Sequence, residues 1–392
     1  MKLAIFIKAT THHKGYGGLE TQNKVLCEGL AERGHNVTVF SPAREIGPQE
    51  TLENGVKYVF VPCTYRMLFA SFDKGNWYTK SYTAFLSQHQ TEPFDVVISQ
   101  SSAALGIIKQ RDSLGIKVVG ISHGTIGGEM KTILNSAKSV ASVIKSTKSL
   151  LFGLVNFFGR QRQYIHGCNK IVAVSNAVKD SIVNETYANP EKITVIHNGI
   201  DPAKVPQRNW EEKEEDAPFK VLYIGRVEES KGLYELVCAC KDLENVFLNI
   251  VGDGPFLEPL KILTRELKMS QRTLFYGKLP HDKTLEMYSC NNVFVLPTKR
   301  VEGLPMTLVE ACFAGLPIIT TNMGGNKDAV EDQFNGFLLR DSSKESIQSH
   351  ILRLARDKKG AKSMGANGRI KAQKEFTLAG MLDSYERVLK TI

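Results

Sequence analysis

Short apolar runs rich in β-branched residues alternate along this chain with longer segments whose apolar residues recur every three or four positions. LAIFI at residues 3–7, VTVF from Val37, VKYVF from Val56, DVVIS from Asp95, KVVGIS from Lys117, KIVAVS from Lys170 and ITVIH from Ile193 are four to six residues long. Runs apolar on both faces mark strands covered by helices on both sides, the condition of a buried parallel sheet. Between them lie helix-length stretches such as 19–33, which stops at Gly34 as a helix C-terminus does. A polar run, EEKEED at 211–216, falls between Pro206 and Pro218 and reads as a surface linker. Beyond it the alternation restarts with FKVLYIG, VFLNIVG, TLFYG, VFVLP and PIITT. The pattern predicts an α/β protein of two doubly wound parallel-sheet domains, 1–205 and 206–375, each burying its own core.

Composition agrees with that reading. Of 392 residues, 42% are hydrophobic and 23% charged, which supplies apolar material for packed cores. No 18 uninterrupted apolar residues occur, so no membrane-spanning helix is predicted, and MKLAIFIKAT reads as a first core strand rather than a signal peptide. The seven cysteines are irregularly spaced, and Cys238 and Cys240 have no His or Cys companions at metal-ligand spacing. They read as reduced core thiols of a cytosolic protein.

Charge changes the picture in one tract. The net charge of +9 comes from 50 basic and 41 acidic residues. No acid stands between Glu129 and Asp180, where Lys131, Lys138, Lys145, Lys148, Arg160, Arg162, Lys170 and Lys179 all fall. In the same tract Ile133, Ala137, Val140, Ile144, Thr147, Leu151, Leu154 and Phe158 recur at alternating steps of four and three, the stripe of one helix face. Such a basic amphipathic helix can lie on an anionic membrane, or its stripe can pack on the protein's own core with the lysines solvated. The pattern admits both.

Ligands of doubly wound sheets bind beyond the carboxyl ends of the strands. Gly17-Gly18, His123-Gly124, Asn198-Gly199, Gly225-Arg226, Gly252-Asp253-Gly254, Glu302-Gly303 and Gly324-Gly325 each follow a predicted strand, and together would rim one cleft between two facing sheets. In EGLPMTLVEA, Pro305 suits a first helical turn, which leaves Glu302 in a loop and Glu310 on a helix. Their separation, roughly 12 Å by helical rise, is the span from a sugar across a diphosphate to a ribose. One carboxylate would grip hydroxyls at each end while helix N–H groups between them receive an anion. An ordinary amphipathic helix with two surface acids fits the same letters. Arg226 and Lys231 offer a fork and a point charge to phosphate oxygens, or line a solvated loop. Gly15-x-Gly17-Gly18 lacks the third glycine of a dinucleotide fingerprint, yet lets a substrate approach backbone N–H groups. His123 stands where an imidazole can donate to a substrate oxygen. His12, His13 and His197 lack the companions a metal site needs, and no metal or other cofactor is expected.

GGLE, SHG, HNGID, IGR with SKG, VGDGP and EGLPMTLVEACFAGLPIITTNMGG stand in that order along nearly the whole chain. With them the chain resembles the retaining glycosyltransferases of the GT-B fold, family 4; the two-glutamate stretch is the most specific part. The resemblance implies two Rossmann-like domains facing across a cleft, the first holding most of the acceptor and the second a nucleotide-sugar, with a final helix, 376–392, returning to the first. It implies that Glu310 binds the ribose, Glu302 binds the donor sugar, Arg226 and Lys231 neutralise the diphosphate, Gly17 and Gly18 approach it, and His123 sits by the sugar. Gly225, Gly254, Gly303, Leu304 and Pro305 complete the donor-binding set. Asp328 stands where the family often has a glutamate. The tract 130–167 matches nothing general in the family, and acceptor or membrane contacts by Lys131, Lys138, Lys145 and Lys148 are expected there.

The expected reaction moves a sugar from a UDP- or GDP-linked donor to an acceptor hydroxyl with retention. The expected acceptor is a lipid-linked or cell-surface glycan precursor at the cytoplasmic membrane face. A nucleic-acid partner is not expected, because the charge excess is local. A nucleotide-sugar 2-epimerase of the same fold and a non-enzymatic basic membrane-surface protein are the competing readings.

Overall fold

The computed structural model describes residues 1–14, 17–44, 47, 49–63, 76–136, 153–210 and 217–392. Gly15, the 211–216 linker and the part of the basic tract that holds Lys138, Lys145 and Lys148 lie outside them. The described residues divide into two units. One gathers Met1–Met130, the described residues up to His197, and Met381–Ile392; the other gathers the described residues from Lys131 and Asn198–Gly380. The chain thus leaves the first unit once at Met130 and again at His197, ahead of the expected position 205, and finally re-enters it at Met381.

In the first unit β1 (Lys2–Phe6), β2 (Asn36–Pro42), β3 (Glu50–Glu53), β4 (Val56–Val61), β5 (Val96–Gln100), β6 (Lys117–Ser122), β7 (Lys170–Ala173) and β8 (Ile193–Val195) form one sheet in the order β3-β4-β2-β1-β5-β6-β7-β8. Only β3 runs antiparallel to its neighbour. The central strand shows why the runs are apolar on both faces. Leu3 lies opposite Val37 of β2 and Val96 of β5, and Leu3 to Phe6 are wholly buried. Phe6 stacks on Phe40 with ring centroids 4.9 Å apart, and Phe85 of the Trp77–Thr91 helix closes against both. Each such side chain contributes about 1.5–3 kcal/mol on burial.

The last helix, Leu378–Lys390, docks on the first unit from Met381 onward. Gly29, on the Gly18–Glu32 helix, provides the contact: a Cβ there would sit 2.6 Å from Leu382. Arg33 pairs with Asp383 at 2.7 Å and His35 with Glu386 at 3.2 Å beside it.

The second unit holds β9 (Phe219–Ile224), β10 (Val246–Val251), β11 (Thr273–Gly277), β12 (Val293–Leu296), β13 (Ile318–Thr321) and β14 (Gly336–Leu339), all parallel, in the order β11-β10-β9-β12-β13-β14. The strand order reverses between β9 and β12, the topological switch point beside which ligands of doubly wound sheets bind. The corresponding reversal in the first unit lies between β1 and β5.

Two strands and one motif differ from expectation. Neither β3 nor β14 is predicted from the sequence: β3 reads ETLE with Leu52 exposed, and β14 is the four-residue edge GFLL, so neither shows a long run apolar on both faces. Asn198-Gly199 does not behave as a ligand turn. Gly199 packs against the Thr377 carbonyl, and Ile200 exchanges backbone hydrogen bonds with Phe376 and Leu378 at 2.9 Å, which fastens the chain to the segment before the last helix. The cysteines are all free thiols, yet Cys290 is exposed rather than in a core.

Leu382→Ala is expected to destabilise the first unit by about 2–4 kcal/mol, because a buried methyl cluster is lost where Gly29 leaves no side chain to fill the space. Urea unfolding followed by the fluorescence of Trp77, buried in that unit, would measure it; an unchanged midpoint would mean that the helix is not structurally coupled to the sheet.

Candidate active site

Two loops leave the sheet of the second unit at the β9–β12 reversal, residues 225–232 and 297–305. Lys231 Nζ donates to Glu302 Oε1 at 2.6 Å, and Thr298 Oγ1 donates to the same oxygen at 3.0 Å. The Lys231 and Glu302 side chains are only 17% and 14% exposed, so this pair is shielded more than an ordinary surface ion pair. The backbones join as well, with the Lys299 N–H bonded to the Ser230 carbonyl at 2.8 Å. Glu302 is also held from its other side. The Gly325 N–H donates to the Glu302 carbonyl at 2.9 Å, and Gly324, at φ +54°, lies so close that a Cβ would overlap that oxygen. Only glycine combines that conformation with that approach.

Arg226 lies on the same loop after β9 as Lys231. Its backbone carbonyl accepts from the buried Tyr223 hydroxyl at 2.8 Å, while its guanidinium is 70% exposed and 3.0 Å from Glu228. The other Glu228 oxygen is 3.5 Å from Arg300, so one carboxylate bridges two guanidiniums. Behind them, Gly252 (φ +133°) would overlap the Gly225 carbonyl with any side chain. The Gly254 N–H caps onto its neighbour Asp253 at 2.7 Å. These glycines pack loop on loop.

Glu310 lies on the Met306–Ala314 helix, whose residues from Leu308 to Ala314 are all buried. Pro305 immediately precedes that helix with an extended ψ of 122°, one position earlier than expected, and its carbonyl accepts from Leu308. Only 6% of Glu310 is exposed. One carboxylate oxygen accepts from the Tyr288 hydroxyl at 2.7 Å and the other lies 3.5 Å from His281. Burial pushes the Glu310 carboxyl up to about 7, against the opposite pull of the Tyr288 hydrogen bond. A carboxylate has about four acceptor sites, so this one has capacity beyond its protein partners.

In the first unit, His123 follows β6 and its Nε2 lies 2.7 Å from Gln100 Oε1. His123 is half-buried as a residue, and burial lowers the imidazole to about 4. The Gly17 N–H, expected to face a substrate, instead bonds to the Glu20 carboxylate at 2.8 Å, whereas nothing lies within 4 Å of a Cβ on Gly18. What this turn retains is space. His12 pairs with Glu53 at 3.0 Å and His13 lies 3.0 Å from the Pro42 carbonyl, so both serve local structure.

Known proteins place this arrangement. The family described as glycosyltransferase family 4 matches residues 16–204, and that described as glycosyl transferases group 1 matches 206–371. The chain is a GT-B glycosyltransferase of the group 1/family 4 type. It is 24% identical to an uncharacterised glycosyltransferase of Methanocaldococcus jannaschii over 100% of this chain and 99% of that one. It is 27% identical to the Escherichia coli UDP-Gal:alpha-D-GlcNAc-diphosphoundecaprenol alpha-1,3-galactosyltransferase over 87% and 85%. Among solved structures, sucrose-phosphate synthase from Thermosynechococcus elongatus superimposes with a TM-score of 0.83 at 19% identity, covering 99% of this chain and 98% of that one. Anabaena HepE in complex with UDP and glucose does so at 0.77 and 16%, covering 100% of both. At those identities the likeness concerns the fold.

In this glycosyltransferase, Lys231 and Glu302 meet directly, Arg226 lies on the same loop after β9, and each cation faces a carboxylate. Leu304 is buried, Gly303 half-buried, Asp328 buried in the short Asn326–Ala329 helix, and Lys131 exposed. Thr298, Tyr288, Glu228, Arg300 and Gln100 escape sequence reasoning. Thr298 carries a faint signal, standing just past VFVLP, whereas nothing in the sequence marks Tyr288, 22 positions before its partner.

Since the folded Glu310 pKa is raised above the ordinary carboxyl value, its neutral form adds stability that is present at low pH and lost as pH rises through about 7. The wild-type enzyme is therefore expected to lose stability, on the order of 3 kcal/mol at most, from pH 5 to pH 8 through this group. Glu310→Gln should remove that part of the slope in urea unfolding. Identical slopes for the two proteins would show that the carboxyl is not burdened by burial.

Proposed function

We propose that this enzyme is a retaining hexosyltransferase that moves a sugar from a UDP- or GDP-linked donor to an acceptor hydroxyl without a metal. The observation that carries the reading is the convergence of Lys231, Thr298 and Glu302 at the β9–β12 reversal, with Glu310 on the helix that follows. The bond between the anomeric carbon and the diphosphate oxygen breaks, and the acceptor oxygen bonds to the same face of that carbon. The acceptor proton passes to the departing phosphate oxygen. Negative charge grows on the diphosphate, where Arg226, Lys231 and the N-terminus of the Met306–Ala314 helix stabilise it. Glu302 accepts from hydroxyls of the donor sugar, and the spare acceptor sites of Glu310 take the ribose hydroxyls. In this reading His123 contacts the donor sugar, and Gly18 leaves room for the substrate.

The acceptor in this reading is a lipid-linked or cell-surface glycan precursor, and the enzyme works peripherally at the cytoplasmic face of an anionic membrane. The name of the Escherichia coli relative, with its diphosphoundecaprenol-linked acceptor, supports this. So do Leu154, Val155 and Phe158, which are exposed side by side, Phe158 to 63%. Arg162 lies over the Phe158 ring at 5.6 Å and over the Tyr187 ring at 5.9 Å, which puts cationic and aromatic groups on one surface. No described helix is long and apolar enough to cross a membrane.

Arg226→Ala and Glu310→Ala should each lower transfer at least about 100-fold, the scale of one lost charge-stabilising contact, with unchanged circular dichroism. Activity should persist in a chelator. Near-wild-type turnover by either variant would remove the site assignment, and a loss reversed by added metal would remove the metal-free mechanism. A thermal-shift panel of UDP- and GDP-sugars identifies the donor, since binding stabilises the folded state.

Val155→Asp with Phe158→Asp should reduce co-sedimentation with phosphatidylglycerol-containing vesicles several-fold, because charge then replaces the inserting apolar surface. If the double variant pellets as fully as wild type, this surface is not the anchor.

A further inference from the structure

Buried polar side chains of the first unit form a directed chain of hydrogen bonds that ends on His123. Gln100 is the last residue of β5 and Asn23 lies on the Gly18–Glu32 helix; both are buried. Gln100 Nε2 donates to Asn23 Oδ1 at 2.8 Å, which leaves Gln100 Oε1 facing His123 Nε2 at 2.7 Å. A glutamine that spends its amide nitrogen on one neighbour has only an acceptor for the other. The imidazole proton must then reside on Nε2. Its second nitrogen, Nδ1, has no partner among the described residues and is a bare acceptor.

Asn23 Oδ1, as the acceptor, sets the direction of the chain. All three polar groups sit where the topology demands precision. Asn23 lies in the second turn of the helix after β1, Gln100 ends β5, and His123 follows β6, so they surround the β1–β5 reversal. We propose that Asn23 and Gln100 are positioning residues that hold His123 in its Nε2–H tautomer and present Nδ1 as a hydrogen-bond acceptor to a hydroxyl of the donor sugar.

This inference rests on the reading that His123 faces the donor sugar, and it reverses the direction expected from the sequence, where His123 donates. Burial keeps the ring neutral at working pH, so one nitrogen can donate and the other must accept. A sugar hydroxyl donating to Nδ1 completes the ring's hydrogen bonding, whereas a ring of the other tautomer would meet Gln100 Oε1 lone pair to lone pair.

The test uses the full-length protein labelled with [15N]histidine, in wild-type form and as Gln100→Leu, Asn23→Leu and Asn23→Asp, with His123→Phe to assign the resonance. Two-bond proton–nitrogen spectra should show a single Nε2–H tautomer for His123 in wild type. A mixture should appear in Gln100→Leu and in Asn23→Leu, where Gln100 is free to turn. The fixed tautomer should return in Asn23→Asp, whose carboxylate can only accept. In parallel, calorimetry with UDP-glucose against UDP, and GDP-mannose against GDP, separates recognition of the sugar from that of the nucleotide. Gln100→Leu should weaken the nucleotide-sugar that binds by about tenfold, the worth of one hydrogen bond left unmade, and leave its nucleoside diphosphate unchanged. One invariant tautomer across all variants would overturn the proposal, as would equal losses for both ligands. Failure of both nucleotide-sugars to bind wild type would count against the functional reading, while the spectra would still decide the positioning claim.

Discussion

Glu302 is gripped at its side chain and at its backbone by different parts of the second unit, and the donor half of the site depends on that double hold. Lys231 and Thr298 take one carboxylate oxygen, while the Gly324-Gly325 turn takes the carbonyl. The first contact joins the loop after β9 to the loop after β12; the second joins it to the turn after β13. Three strand ends are thereby fixed relative to one another. An ion pair alone would not do this, because two long side chains can swing together. The overlap that any Cβ at position 324 would suffer makes the backbone arrangement close to unique.

The same pairing sets an energetic condition on catalysis. Lys231 is paired with Glu302, so in the proposed reaction a diphosphate would share the ammonium with that carboxylate. Arg226 is in a similar position through Glu228, which also faces Arg300. In the proposed reaction, a cation already held by a carboxylate, as Lys231 is by Glu302, would supply the preorganisation that electrostatic catalysis requires. Glu310 illustrates the opposite economy. Its helix is buried from Leu308 to Ala314, yet it carries a carboxyl that burial raises to about 7. Under the proposed function, the acid in that place gives up stability for a binding group.

Both units place their polar side chains by one topological device. Where the strand order reverses, neighbouring loops part, and side chains from three successive strand ends can meet without crossing the core. In the second unit the result is charged: Lys231, Glu302, Arg226, Glu228. In the first it is neutral, with Asn23, Gln100 and His123 linked in one direction by hydrogen bonds. A neutral network suits contact with sugar hydroxyls, and a charged one suits phosphate.

The sequence by itself determined the two sheets and the order of the strand-end motifs, because a strand covered on both faces must be apolar throughout and a loop that approaches another backbone must be glycine. It also separated Glu302 in a loop from Glu310 on a helix, through Pro305. It was silent on β3, whose ETLE leaves Leu52 exposed at a sheet edge, and on β14, too short to carry a period. It did not show that Gly199 packs on the Thr377 carbonyl or that Glu20 holds the Gly17 N–H, since a glycine that admits a ligand and one that admits another backbone or a capping carboxylate are written with the same letter. Only the tertiary structure decided who partners whom: that Lys231 answers Glu302, that Tyr288 answers Glu310, and that Gln100 dictates which nitrogen of His123 bears the proton. Those pairings span from 22 to 71 positions, and a hydrogen bond depends on distances and directions in space that local residue pattern does not encode.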